Sequence, residues 1–272
     1  DVLRTNPVGE VMKMYRWIIT VLLCMMSISM YAVTRIVDIT GAGQYTSIQT
    51  AVTASSAGDT VLVYPGRYQE NINISVGNIT IISLEYAFND PSYIESTIID
   101  GGLNAQGIRI NQNVQNINIR GFSITNSRIG ISLGQNSISA ITNCSLFGNV
   151  SSYGGGINLF KSTTVLSGVR IFDNYAYIMA GGIYINGYMG YVNVTFDPGN
   201  RCSIYNNTAG AGQDIVAHSI NNDLSIPLDK FTVANPTSYY AAPFRASGNE
   251  FQLLIDAETF HHEEVNHDLY VS

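Results

Sequence analysis

The sequence predicts an all-β protein built as a parallel β-helix, and three observations predict it. Tetrapeptides of one kind recur: Gly107-Ile108-Arg109-Ile110, Gly130-Ile131-Ser132-Leu133, Gly156-Ile157-Asn158-Leu159 and Gly182-Ile183-Tyr184-Ile185, at intervals of 23, 26 and 26 residues. A second ladder lies between them: Phe122-Ser123-Ile124, Cys144-Ser145-Leu146, Val169-Arg170-Ile171 and Cys202-Ser203-Ile204. Each piece alternates apolar and polar residues, the period of a strand with one buried face. The composition agrees. Charged residues are 12% and hydrophobic ones 46%, with 26 Asn and 25 Gly against 7 Pro, which suits many short strands joined by polar turns. Two or three short strands per 22–26 residues describe solenoid coils; propeller blades need about 40 residues per repeat.

The elements follow in chain order. Lys13 and Arg16 precede an apolar run from Trp17 to about Met30, closed by Ala32. Charged, apolar and small residues in that order predict a secretory signal peptide. Residues 1–32 are therefore expected to be upstream sequence plus this peptide, with no transmembrane helix in the mature chain, because a spanning helix needs about 20 apolar residues. Thr46-Ser47-Ile48-Gln49 has capping-box spacing, and Ile48 and Val52 share a face, so a short helix is expected to cover the open end of the stack. Thr60–Tyr64 is the first strand after that cap. In the coils, Ile108, Ile131, Ile157 and Ile183 form one inner column, and Ile124, Leu146, Ile171 and Ile204 another. Asn149, Asn174 and Asn207 each fall three residues beyond the second column, where a side-chain amide can bond the turns above and below. The last interval of that ladder stretches to 33, and Asp197-Pro198-Gly199-Asn200 predicts a loop insertion around Tyr191–Arg201.

Residues 33–223 are thus expected to form the β-helix. The stretch 224–267 loses the Gly-Ile ladder and gains Pro227, Pro236 and Pro243, so it is expected to be a connector with short strands such as Phe251–Ile255. Asp268–Ser272 resumes a strand pattern resembling Arg35–Thr40, which predicts the start of a further module and a chain continuing beyond both ends of the sequence. Cys144 and Cys202 sit two coils apart, about 10 Å at the strand spacing, and are expected to remain unpaired.

Two stretches carry a resemblance. Gly41–Val52, Gly58-Asp59-Thr60-Val61 and Pro65–Asn71 resemble the opening of the pectin-lyase-like superfamily, pectinesterases in particular. Phe147-Gly148-Asn149 before Gly154-Gly155-Gly156-Ile157, and Phe172-Asp173-Asn174 before Gly181-Gly182-Ile183, resemble the repeats of polymorphic outer-membrane proteins. Asn206–Ala209 leading to Gly212–Ile215 is a further variant. The resemblance implies a right-handed parallel β-helix on an exported protein, commonly a surface stalk or adhesin, and implies no particular ligand.

Chemistry is sparse. No basic block stands out and the formal net charge is -7, which argues against a nucleic-acid partner. Glycoside hydrolysis needs paired carboxylates and calcium needs several oxygen ligands, yet Gly101–Gln213 contains only Asp173 and Asp197. Gln213-Asp214 matches a pectinesterase dipeptide by letter, but the rest of that family's signature has no counterpart. Arg109, Arg120, Arg128 and Arg170 outnumber nearby carboxylates and suit an acidic glycan. Tyr175 and Tyr184, among six tyrosines crowding two coils, offer rings for sugars, although such rings also pack across strands. Arg109, Arg128, Tyr175 and Tyr184 are therefore the candidate ligand-binding residues, and an extracellular polysaccharide or cell-surface glycan is the candidate partner. No cofactor, metal or catalytic residue is predicted. His261, His262 and His267 with Glu263 and Glu264 lack the spacing of a zinc helix, which places its two histidines four apart. The sequence favours an exported, non-catalytic, adhesin-like surface protein. The alternatives are a carbohydrate-active enzyme and a glycan-binding module.

Overall fold

A computed structural model describes residues 7–25, 31–188, 190–245 and 250–261. The chain divides into Asp1–Ala32 and Val33–Ser272. In the first unit, helix α1 spans Pro7–Met25 and exposes its described apolar side chains, Trp17 to 74%. No described helix is long and apolar enough to cross a membrane.

The second unit is a parallel β-solenoid whose strands all pair in parallel. Sheet I runs from Thr34–Val37 to Asn193–Phe196, and sheet II from Ile72–Ile74 to Ala241–Phe244; each has seven strands. Sheet III, with eight strands, runs from Gly66–Tyr68 to Leu253–Phe260. A small sheet IV holds Val150–Tyr153, Tyr175–Met179 and Thr208–Ala211. Both predicted columns stack in register. Ile108, Ile131, Ile157 and Ile183 pair along sheet II, and Ile124, Leu146, Ile171 and Ile204 along sheet III. All eight are fully buried. The glycine that opens each tetrapeptide marks close approach. A Cβ on Gly130 would lie 2.6 Å from the Gly156 carbonyl oxygen, and one on Gly156 would lie 2.5 Å from Ile171 Cγ2.

A third inner column, Val61, Ile81, Ile119, Ile141, Leu166 and Phe196 on sheet I, completes the core. The segment expected to be an insertion contains the last strand of that sheet, Asn193–Phe196, which pairs with Thr163–Leu166. Only Asp197–Asn200 forms the expected turn, closed by Gly199 N–H donating to Asp197 Oδ1 at 2.9 Å. Helices α2 (Ile48–Ala54), α3 (Glu85–Phe88) and α4 (Ser92–Ser96) interrupt the first coils.

Helix α2 buries Ile48, Ala51 and Val52 in the core, but its capping differs from the expected box. Ser47 is the N-cap, and its hydroxyl accepts from Thr50 N–H. The carboxylate at this end comes from Glu70, which accepts from the backbone N–H groups of Ile48 and Gln49 at 3.0 and 2.9 Å. A carboxylate suits the positive end of the helix dipole. Gln49 is left to pair with the Asn73 backbone, its Oε1 accepting at 2.6 Å and its Nε2 donating at 3.3 Å. Asn73 lies on the edge strand of sheet II, so Gln49 satisfies an edge that would otherwise invite pairing.

The stretch beyond 223 continues the same sheets. Leu224–Phe231 pairs with Cys202–Ile204 and with Leu253–Phe260, and Ala241–Phe244 pairs with Ile215–His218. Its inward residues Ile226, Leu228 and Phe231 are fully buried. The ladder motif disappears while the stack goes on. The expected strand 268–272 lies outside the described residues.

Candidate ligand-binding faces

Outward positions on sheet II form a column of Asn73, Arg109, Ser132, Asn158, Tyr184, Val216 and Ala242. Arg109 and Tyr184 therefore share one face, three rungs apart. Arg109 is exposed and edges a hollow of about 590 Å³ with Ser75, Gln112, Gln135 and Phe160. Tyr184 is only 9% exposed. Its ring lies 5.3 Å from that of Tyr153 and belongs to a small apolar cluster with Ala180, Val216 and Ala242. Burial pushes its phenol pKa up. Tyr184 thus packs against its neighbours.

Tyr175 stands on sheet IV, 40% exposed, with Tyr177 edge-on at 5.0 Å. Arg128 lies in the turn before Ile129–Leu133, exposed, its backbone N–H donating to Ala105. The four predicted residues thus occupy three places: the sheet II column, sheet IV and a turn. Arg120 and Arg170 are engaged elsewhere. Arg120 pairs with Glu85 at 2.6 Å, and Arg170 Nε donates to Ser145 Oγ at 3.0 Å.

A third aromatic feature escaped prediction. Phe147, Phe172 and Tyr205 stack on successive rungs of sheet III with ring centroids 5.2 and 5.3 Å apart, and Lys230 Nζ sits 4.1 Å from the Tyr205 centroid. Its signal was present in the sequence, since each ring follows an inner-column residue. Stacked rings cover one another's faces, so this column binds coils together.

The carboxylates decide what the outer faces can do. Among the described residues, no strand of either seven-stranded sheet carries Asp or Glu. The carboxylates on described strands are Asp100, Asp229, Asp256 and Glu258, all on sheet III, and the last two both meet Arg201. The buried acids are bonded into the scaffold. Asp59 accepts from Ser56 and Val33 N–H and pairs with Arg35 at 2.8 Å; these bonds hold its pKa below the usual carboxylate range. Burial works against ionisation of Glu85 and Asp100, but the bonds from Arg120 and Asn143 to Glu85, and from Asn126, Gly102 and Arg67 to Asp100, win and lower both pKa values. Asp214, fully buried, accepts from Asn207 N–H and Nδ2 and from the Thr232 hydroxyl.

Asp214 therefore ends a polar ladder. Asn149 N–H and Nδ2 donate to Asn174 Oδ1, Asn174 repeats this to Asn207, and Asn207 to Asp214. Each amide also donates to a backbone carbonyl: Ile124, Leu146 and Ile171 in turn. The predicted scaffold asparagines are in this ladder, and so is the aspartate that matched pectinesterases by letter. Cys144 and Cys202 are free and buried, and burial pushes both thiols up to about 12. Among the described residues no group of His, Cys, Asp and Glu is placed to hold a metal. His261 stands 6.0 Å from the Tyr205 ring; His262 and His267 lie outside the described residues.

No family model matches the chain, and neither does any curated protein. Among solved structures, it is similar to the pectin methylesterase from Aspergillus niger in deglycosylated form: TM-score 0.39, 12% identity, 85% of this chain and 86% of that one. The penultimately deglycosylated form of the same protein gives a TM-score of 0.34 at 13% identity over the same shares.

Proposed function

We propose that this chain is an exported, non-catalytic β-helix that displays its outer faces at the cell surface. The observation that carries the reading is the placement of carboxylates. Polysaccharide hydrolysis needs two acids at one bond, whereas the long outer faces of sheets I and II have none on their strands and the buried acids are tied to arginine, asparagine or backbone groups. Export is supported by the charged, apolar, small-residue order of 13–32. Incubation with pectin, alginate and chondroitin should release neither methanol nor unsaturated ends; either product overturns the non-catalytic reading. N-terminal sequencing of secreted material should begin at Val33.

A glycan-binding role is favoured by one observation, the exposed Arg109 lining a carboxylate-free hollow with Phe160 and four amide or hydroxyl side chains, Ser75, Asn111, Gln112 and Gln135. A guanidinium there suits a uronic acid or sulfated sugar. An array of acidic glycans, read with Arg109→Ala alongside, tests this: binding that survives the substitution removes Arg109 from the site.

A further inference from the structure

We infer that the hollow where sheet I ends is a binding site for a small organic cation, an ammonium group carried on an apolar stem. Sheet I stops at Asn193–Phe196, whereas sheets II and III go on. Residues 219–223, which follow sheet II in the next coil, form no strand, so the rung that would follow Asn193–Phe196 is missing. A hollow of about 510 Å³ opens there, a size typical of ligand sites. Its floor is part of the core: Ile185 is fully buried, and Val194, Ile220 and Leu224 are 8%, 5% and 7% exposed.

Two groups at the rim set the chemistry. Tyr191 is 83% exposed and offers its ring to a ligand. Asp223 accepts from Gln252 N–H at 2.8 Å. Among the described residues it has no Lys or Arg partner, whereas Asp59, Glu85 and Asp100 each have an arginine. An adjoining hollow of about 440 Å³ shares Val194, Asp223 and Leu224 and is also lined by Arg201. The Arg201 guanidinium is already held by Asp256 at 3.0 Å, by Glu258 at 3.1 Å and by the Leu228 and Asp256 carbonyls. Its charge is answered, and that of Asp223 is not. An anionic ligand would meet Asp223 with no counter-charge in the first hollow. A cation finds there a carboxylate, an aromatic face suited to it and an apolar floor for its stem. This site carries the opposite charge to the Arg109 hollow on sheet II and does not depend on that reading.

Titrating the full chain with hexylamine and phenethylamine, against hexanol, phenethyl alcohol and hexanoate, tests the assignment. Saturable binding of at least one amine is expected, with methyl resonances of Val194 and Ile220 shifting and affinity falling as salt rises. Asp223→Asn keeps an acceptor for Gln252 N–H. It should weaken amine binding about fivefold, the worth of an exposed ion pair, and leave the matching alcohol unaffected. Tyr191→Ala should weaken the amine by a similar factor, and Arg109→Ala should leave it unchanged. Asp223 and Tyr191 are both exposed, and thermal melts of the two variants verify folding. If neither amine saturates, the proposal is overturned. It is overturned equally if an alcohol or hexanoate binds as tightly as the amine of the same stem, or if amine binding ignores either rim substitution.

Discussion

The early and late coils of this solenoid are fastened by different polar devices. In the early coils, Arg35–Asp59, Arg67–Asp100 and Arg120–Glu85 join rungs through ion pairs between residues 24, 33 and 35 positions apart. From Asn149 onward the buried fastening is an amide ladder that ends on Asp214, and the ion pairs there, Arg201 with Asp256 and Glu258, use exposed carboxylates. An ion pair satisfies itself: two side chains and a few backbone groups close the account. A ladder member serves the turn below and the turn above, so its loss strands donors and acceptors on both sides. The late coils should therefore be the more fragile to a single substitution and the early ones the more fragile to acid.

The largest expected effect is at the middle of the ladder. Asn174→Ala removes the acceptor for Asn149 N–H and Nδ2 and the donor to the Leu146 carbonyl, all buried. Each orphaned group costs about 1–3 kcal/mol, so a loss of about 4 kcal/mol is expected in denaturant unfolding. A loss near that of a surface change would mean the ladder is decorative. Glu85→Gln should cost less, about 2 kcal/mol. Breaking a fully buried pair costs more, but Arg120 is 26% exposed and water recovers part of its charge.

Acid separates the regions in the other direction. Asp59, Glu85 and Asp100 have depressed pKa values in the folded chain. Their contribution is present above the unfolded carboxylate pKa, about 4, and is lost as pH falls through the lower folded values. The amides of Asn149, Asn174 and Asn207 do not titrate. Pulse-labelling hydrogen exchange after jumps to progressively lower pH should find Ile81 and Ile119 losing protection before Ile171 and Ile204. The opposite order would mean that protonation of Asp214 governs, and Asp214→Asn should then remove the late transition.

The contrast also explains which parts of the molecule were legible. Both Ile columns and the three ladder asparagines repeat at fixed offsets from a local motif, so the sequence displays them directly. The sheet I column does not. Val61, Ile81, Ile119 and Leu166 follow no glycine tag, and the turns before them vary in length. The ion pairs were hidden for a related reason, because no local spacing links Glu85 to Arg120 or Asp100 to Arg67 before the coils are stacked. Glu70 reached the α2 N-terminus by the same route and displaced Gln49 from its expected role. At the candidate site, Arg109 and Tyr184 fall in one column of sheet II, and they differ in what covers them. What covers Tyr184 are Val216 and Ala242 from later rungs and Tyr153 from sheet IV, contacts that exist only once the coils stack.

The smallest effect is the one that tests the stacking rule itself. Asn158 occupies the outward column of sheet II between Ser132 and Tyr184, flanked in its own strand by fully buried Ile157 and Leu159. Its Nδ2 donates to the Tyr153 carbonyl at 3.2 Å in an exposed setting where water can replace it. Asn158→Ala should therefore change stability by about 0.5 kcal/mol or less. Ladder asparagines and Asn158 are chemically identical, and only the direction of the side chain separates them. If Asn158→Ala were as costly as Asn174→Ala, asparagine content rather than position in the ladder would be holding the late coils together, and the comparison drawn between the two regions would fail at its root.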